Sequence, residues 1–163
     1  MKIRYWIALF GFLVLGYSFK PKLMKKDILR IVKQYNLYKT HSKSDIRWQW
    51  TYYPTELLFY NKIDALEQEK DKKELINTYK DYAYFMLDLS YGDKDYLNHA
   101  PSAKANYGQT LENLSFNVAD WLYLVNESND TIPLINHQYV RSYGMGKSNR
   151  ILCTYSKTEL EFS

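Results

Sequence analysis

The sequence lacks most of the features that mark a catalytic or metal-binding protein. It has one cysteine, Cys153, so no disulfide can form within the chain. Cys153 lies in an apolar stretch without a basic neighbour, which predicts a buried, unreactive thiol. The three histidines, His41, His99 and His137, follow no metal-ligand spacing. We therefore expect no metal, no cofactor and no catalytic residue.

Catalytic motifs are equally scarce. No G-x-S-x-G elbow is present. Residues 144–148 share glycine, lysine and serine with a phosphate-binding loop, but Arg141 stands where its first glycine is required. A hydrolase would need distant groups to converge, such as His99 or His137 near Asp120 or Glu112. That activity stays open as an alternative.

The charge balance gives no support to nucleic-acid binding. The formal net charge is +4, and it falls to +2 without Lys2 and Arg4. No Lys/Arg stripe with interleaved aromatic residues occurs along the chain. We therefore expect no nucleic-acid partner.

The most informative feature that is present is the apolar run from Ile3 to Phe19, with basic residues on both sides. A membrane span needs about 20 residues and at least about 17, whereas the apolar part of a secretory signal has about 7–15. Gly16 and Ser18 provide a small-x-small cleavage site. The run predicts an uncleaved signal-anchor or a cleaved signal, and the alternative is a buried core helix of a soluble protein. Basic residues on both flanks do not fix the orientation of an anchor.

The sequence predicts three regions along the chain. Residues 1–21 are predicted as the signal-anchor or signal peptide. Residues 22–44 are predicted as a membrane-proximal helix followed by a linker, because apolar residues have helical spacing up to residue 37 and residues 40–44 are polar. Residues 45–163 are predicted as one β-rich extracytoplasmic domain.

Within that domain, alternation of apolar and polar residues predicts several strands. They cover Ile46–Tyr53, Tyr82–Leu89, residues 111–118 with 121–125, residues 131–135 and Arg150–Tyr155. Pro133 cannot donate to a ladder, which predicts an edge strand there. A short helix capped by Thr55 is expected, and a second helix over residues 64–80. Residues 98–110 contain Pro101 and Gly108 and are expected to be a loop. The fold class is α+β, β-rich with one or two helices, and a sandwich is one arrangement that it allows.

The aromatic face of the first strand is the candidate binding surface. Trp48, Trp50 and Tyr52 alternate with polar residues, so they share one side of the strand. If that side is exposed, the rings can hold a ligand or a partner. The alternative is that Trp48 and Trp50 form one wall of the core.

Three blocks resemble segments of small exported proteins of Bacteroidota-type bacteria: Tyr53-Pro54-Thr55-Glu56-Leu57-Leu58, Tyr84-Phe85-Met86-Leu87-Asp88-Leu89-Ser90 and Tyr143-Gly144-Met145. Asp130-Thr131-Ile132 also resembles the O-glycosylation acceptor of those bacteria, with Thr131 as the modified residue. The resemblance implies an extracytoplasmic setting and no particular activity. Many such proteins carry a lipid-anchor cysteine after the signal, and this chain has none there.

The function that these features favour is that of a non-enzymatic envelope protein, anchored or exported through residues 3–19. It would be an accessory subunit that binds a protein partner in the inner membrane or periplasm. The alternatives are a ligand-binding module that uses the aromatic face and a membrane-bound immunity or inhibitor protein.

Overall fold

A computed structural model describes residues 25–125, 129–141 and 145–158, which form an α+β domain around an antiparallel sheet. The predicted targeting segment, residues 3–19, lies outside these ranges. Within them, no helix combines the length and the hydropathy that a membrane span requires.

The described residues contain seven α-helices and eight strands, which we number in chain order. The helices are α1 Lys25–Gln34, α2 Thr55–Leu58, α3 Tyr60–Asp64, α4 Glu69–Tyr79, α5 Tyr96–His99, α6 Pro101–Ala105 and α7 Tyr107–Ser115, and a 3₁₀ turn follows at Val118–Asp120. The strands are β1 Tyr38–Lys43, β2 Ile46–Tyr53, β3 Tyr82–Tyr91, β4 Lys94–Asp95, β5 Tyr123–Val125, β6 Thr131–Pro133, β7 Asn136–Val140 and β8 Asn149–Ser156.

The main sheet has the order β1-β2-β3-β8-β7, with β4 paired to the end of β3, and every pairing is antiparallel. Strands β5 and β6 form a separate two-stranded ribbon. The register places Trp50 opposite Leu87, and Leu87 opposite Ile151. Residues that stand directly opposite each other on neighbouring strands point to the same side of the sheet, so these three residues share one face, which we call the core face.

The core face is covered by α5–α7, the 3₁₀ turn and the ribbon. Leu87 and Ile151 of the sheet pack in one cluster with Leu114 of α7 and Ile132 of β6. The opposite face, which we call the polar face, carries the other helices. Phe59, which follows α2, meets the polar-face residue Tyr84 edge-on, with ring centroids 5.9 Å apart. The central strands are therefore covered on both sides, which explains the long buried stretch of β3.

A buried polar bridge joins the sheet to α5. Asn149 at the start of β8 is 2% exposed. Its Oδ1 accepts from the Leu97 amide at 2.7 Å, and its Nδ2 donates to the Tyr139 hydroxyl at 2.9 Å. Asp95 caps α5 by accepting from the Asn98 amide at 3.0 Å. These bonds satisfy polar groups at a junction with little access to water.

Several sequence predictions are confirmed. Strand β2 has the predicted bounds, β3 and β8 each extend the predicted strand by one or two residues, and α4 lies inside the predicted helix. Pro133 lies in β6, whose only described partner is β5. A short helix does begin at Thr55, but Pro54 occupies the cap position and no side chain caps the helix.

Other predictions are wrong. Residues 40–44, expected in a loop, mostly belong to β1. Residues 98–110, also expected in a loop, contain α6 and the start of α7, and residues 111–115 belong to α7 rather than to a strand. The expectation of one or two helices is therefore too low. A sandwich would cover the core face of the main sheet with a second sheet. In the part of the chain that is described, the second sheet is only the two-stranded ribbon, and helices cover most of the core face.

We expect Cys153 to be unreactive in the folded protein. Its side chain is fully buried, and burial raises the pKa of the thiol to about 12, whereas the thiolate is the reactive form. A disulfide reagent at pH 8 should give no colour with native protein and one equivalent in urea. Because the folded pKa lies above the ordinary 9.0, the stability that the neutral thiol provides is complete below pH 9 and is lost as the pH rises toward 12. Reaction of native protein at the rate of a free thiol would contradict this burial.

Candidate functional site

The predicted aromatic residues lie on the core face near one edge of the sheet. Trp48, Trp50 and Tyr52 stand opposite Leu89, Leu87 and Phe85 of β3. Each of the three is half-buried. Trp48 and Trp50 pack against the core cluster, so part of each ring contributes to the core while another part stays accessible.

Trp50 and Tyr52 line a shallow groove of about 420 Å³. Phe85 forms its floor: its ring centroid is 6.3 Å from that of Trp50, in an edge-on arrangement, and 5.3 Å from that of Tyr52. Leu124 of the ribbon closes one side, and residues 36–39, at the start of β1, close the other. We call this site the aromatic groove.

Trp48 does not belong to the aromatic groove. Its ring is tilted against that of His41, with centroids 4.9 Å apart, and it is absent from the groove lining. The structure therefore brings together two of the three predicted residues and separates the third.

The polar part of the aromatic groove is small. Burial, together with the nearby Glu56 carboxylate, raises the pKa of Tyr52. Its hydroxyl therefore stays protonated at neutral pH and can donate a hydrogen bond. Lys39 contributes the one cation of the lining. The groove can accept an apolar or aromatic group and pair an adjacent negative charge.

Strand β1 borders the aromatic groove and forms one edge of the sheet. The Leu37 carbonyl accepts from the Tyr52 amide at 2.8 Å, so it points toward β2. Backbone groups alternate along an antiparallel strand. Those of Tyr38, Thr40 and Ser42 therefore point away from β2, toward a side where no strand is paired among the described residues.

The side chains of this edge are cationic. Lys39 and Lys43 are exposed, and β1 contains no acidic residue. Lysine on an edge strand commonly discourages association with other sheets. That role alone does not account for the aromatic groove directly beside the edge, which leaves hydrophobic surface accessible to solvent.

The histidines do not meet the carboxylates considered for a hydrolase. His99 Nδ1 lies 3.0 Å from Asp95 Oδ2, four residues earlier in the chain. His137 Nε2 lies 3.3 Å from the Ser115 carbonyl oxygen. Neither contact involves Asp120 or Glu112. Within the described ranges, no three His, Cys, Asp or Glu side chains are grouped as metal ligands.

The proposed glycosylation residue is accessible. Thr131 is exposed at the start of β6, opposite Val125 of β5. Nothing in this geometry distinguishes a modified threonine from an unmodified one, so its modification stays a prediction.

Sequence reasoning missed β1 and Leu124 as parts of the site. Strand β1 reads Tyr-Lys-Thr-His-Ser-Lys and gives no apolar alternation, because it is largely solvated on both faces. Leu124 comes from a ribbon that is distant in sequence. Only the pairing of the strands and the packing of the ribbon place these residues beside Trp50.

The chain matches no protein-family model, no curated protein and no solved structure at a significant level. Its function must therefore be argued from this geometry and from the sequence.

Proposed function

We propose that the protein is a non-enzymatic envelope protein whose folded domain binds a protein partner as an accessory subunit. Residues 3–19 would hold the chain in the inner membrane or direct its export. That targeting role is supported by the uncharged apolar stretch Tyr5–Phe19, which follows the basic residues Lys2 and Arg4. The partner role is supported by one observation above the others, a half-buried aromatic groove beside a sheet edge on which no described strand is paired.

The occupant that suits this surface is an extended, acidic segment of another protein. Such a segment would add a strand to β1, with its backbone bonded to Tyr38, Thr40 and Ser42. An apolar side chain would enter the aromatic groove, where full burial contributes about 1.5–3 kcal/mol. Acidic side chains would pair with Lys39 and Lys43. The positive charge of the edge favours this partner over a basic one.

Two narrower functions use the same surface. A small ligand stacked on Trp50 and Tyr52 would suit a groove of about 420 Å³, since ligand pockets hold roughly 300–1,000 Å³. An immunity or inhibitor protein would be a case of partner binding in which the bound segment belongs to a toxin or an enzyme. The ligand alternative differs from strand addition because it does not need the outer edge of β1.

Fractionation tests the targeting half of the proposal. We expect the chain in the membrane fraction if residues 1–18 are retained, or in the periplasm or medium with a new N-terminus near Phe19 if they are removed. Recovery of the intact chain in the soluble cytosol would contradict it.

Site-specific photo-crosslinking tests the partner half. A photoreactive amino acid at Ser42 of β1 should give a discrete crosslinked species in cells. The same amino acid at Lys73, which is exposed on α4, is the matched control and should give none. Equal crosslinking at the two positions would contradict a specific contact at β1.

A further inference from the structure

A second concave surface lies on the polar face of the sheet, away from the aromatic groove. It is a cleft of about 790 Å³ between α1 and residues 145–148. Its floor is formed by β2, β3 and β8. Thr51 and Ser90 there are each 3% exposed, so the floor contains hydroxyl groups with little access to water. We call this site the polar cleft.

A fixed ion pair spans the floor of the polar cleft. Asp88 and Arg150 are cross-strand partners, and Arg150 Nε lies 3.1 Å from Asp88 Oδ1. The Ser148 hydroxyl donates to the same carboxylate oxygen at 2.8 Å. Arg150 also bonds to the Tyr53 hydroxyl, which partly offsets the rise that burial causes in the pKa of Tyr53. These contacts hold the Arg150 guanidinium in place and neutralise its charge.

The remaining charges of the lining are positive. Arg47 and Lys147 line the cleft, and Asp88 is its one acidic residue. Three cations and one carboxylate give a net charge of +2. Since Asp88 is already paired with Arg150, Arg47 and Lys147 are the cations left to attract an anion.

One wall of the polar cleft is apolar. The apolar part of the lining consists of Leu29 and Val32 of α1 together with Val140 and Met145. Leu29 is 46% exposed and Met145 is 87% exposed, so both leave hydrocarbon surface in contact with water. A simple anion such as phosphate would use the cations and leave this wall uncovered.

We infer that the polar cleft binds a small amphipathic organic anion, a carboxylate that carries a hydrocarbon chain. The carboxylate would pair with Arg47 and Lys147, and the chain would lie against Leu29 and Met145. Lys147 and Ser148 belong to the glycine-containing segment that resembles part of a phosphate-binding loop. They contribute here through side chains at the rim, just before β8, and not through the start of a helix.

Calorimetry with three probes separates the contribution of the carboxylate charge to binding from that of the hydrocarbon chain. The full chain would be held in nanodiscs of zwitterionic lipid, with empty nanodiscs as the blank. Octanoate carries both charge and chain, octanamide only the chain, and acetate only the charge. We expect octanoate to bind at least tenfold more tightly than either of the others, and more weakly as salt is raised. Absence of saturable octanoate binding, or equal binding of octanamide, would overturn the inference.

Surface variants complete the test. Arg47 and Lys147 are both exposed, so R47Q/K147Q should fold normally, which circular dichroism would check. We expect this double variant to weaken octanoate binding at least tenfold. K73Q on α4 removes a cation outside the cleft and should change binding less than twofold. Equal losses in the two proteins, or no loss in R47Q/K147Q, would overturn the site. Partner binding at β1 is measured separately by crosslinking, because it depends on the outer edge of β1 and on the aromatic groove on the core face.

Discussion

Replacing Asn149 by alanine should destabilise the protein by about 3 kcal/mol, since each buried polar group left without a partner costs about 1–3 kcal/mol. The substitution removes the acceptor of the Leu97 amide and the donor to the Tyr139 hydroxyl. Neither group gains ready access to water, because Leu97 is 3% exposed and Tyr139 is half-buried. The measurement is the free energy of unfolding from urea denaturation.

Y139F is the control that isolates one half of this bridge. It leaves the bond from the Leu97 amide intact and leaves only the buried Asn149 Nδ2 without its partner, so its cost should be at the lower end of about 1–3 kcal/mol. In the double variant N149A/Y139F, no tyrosine hydroxyl remains to be left unpaired. The double variant should therefore lose less stability than the sum of the losses in N149A and Y139F. A loss below 1 kcal/mol for N149A would mean that the bridge does not hold α5 on the sheet.

Replacing Trp50 by alanine should strongly reduce partner crosslinking at β1. The indole forms one wall of the aromatic groove, and loss of an apolar anchor worth about 1.5–3 kcal/mol lowers affinity roughly tenfold or more. Stability should also fall, by about 3 kcal/mol, the lower end for a tryptophan truncation, because the side chain is half-buried. Crosslinked yield and urea midpoint would be measured on the same preparation.

W48A is the matched control for this effect. Trp48 is also a half-buried tryptophan of β2 that packs against the core cluster, but it does not line the aromatic groove. Its truncation should lower stability by a similar amount and preserve crosslinking at Ser42. If W48A and W50A reduced crosslinking equally, the effect would come from general destabilisation and not from the groove.

Sequence reasoning found the strands that are buried on one or both faces. Strand β2 alternates aromatic and polar residues, and its core-face tryptophans Trp48 and Trp50 do pack on the cluster. The near-continuous apolar run of β3 reflects cover on both faces, a property that composition alone reveals. Strand β1 was missed because an exposed edge needs no apolar residues.

The helices of the second half were missed for a different reason. Pro101 suggested a loop, yet it occupies the first turn of α6. Backbone N–H groups in a first turn have no partner within the helix, so proline, which has no N–H, is tolerated there. Leu111, Leu114 and Val118 are spaced by three and four residues, which is a helical period. Reading them as the start of the following strand gave the wrong element.

The two sites differ in how much of them a sequence can reveal. The aromatic groove was half predicted, because Trp50 and Tyr52 alternate on one strand. The polar cleft was not predicted at all. Asp88 and Arg150 are brought together only by the register of β3 with β8, and Arg47 joins them from β2. Register depends on the packing of whole strands and is not encoded in any short motif.

The proline variant Thr40→Pro tests the central proposal, that a partner adds a strand to β1, most directly. The Thr40 backbone points away from β2, so proline there removes an outward donor and leaves the β1–β2 ladder in place. T40A keeps the N–H and is the matched control. With the photoreactive amino acid at Ser42, strand addition predicts that T40P loses the crosslinked species and that T40A retains it, at equal folded yields. Retention of the crosslink in T40P would contradict strand addition at this edge.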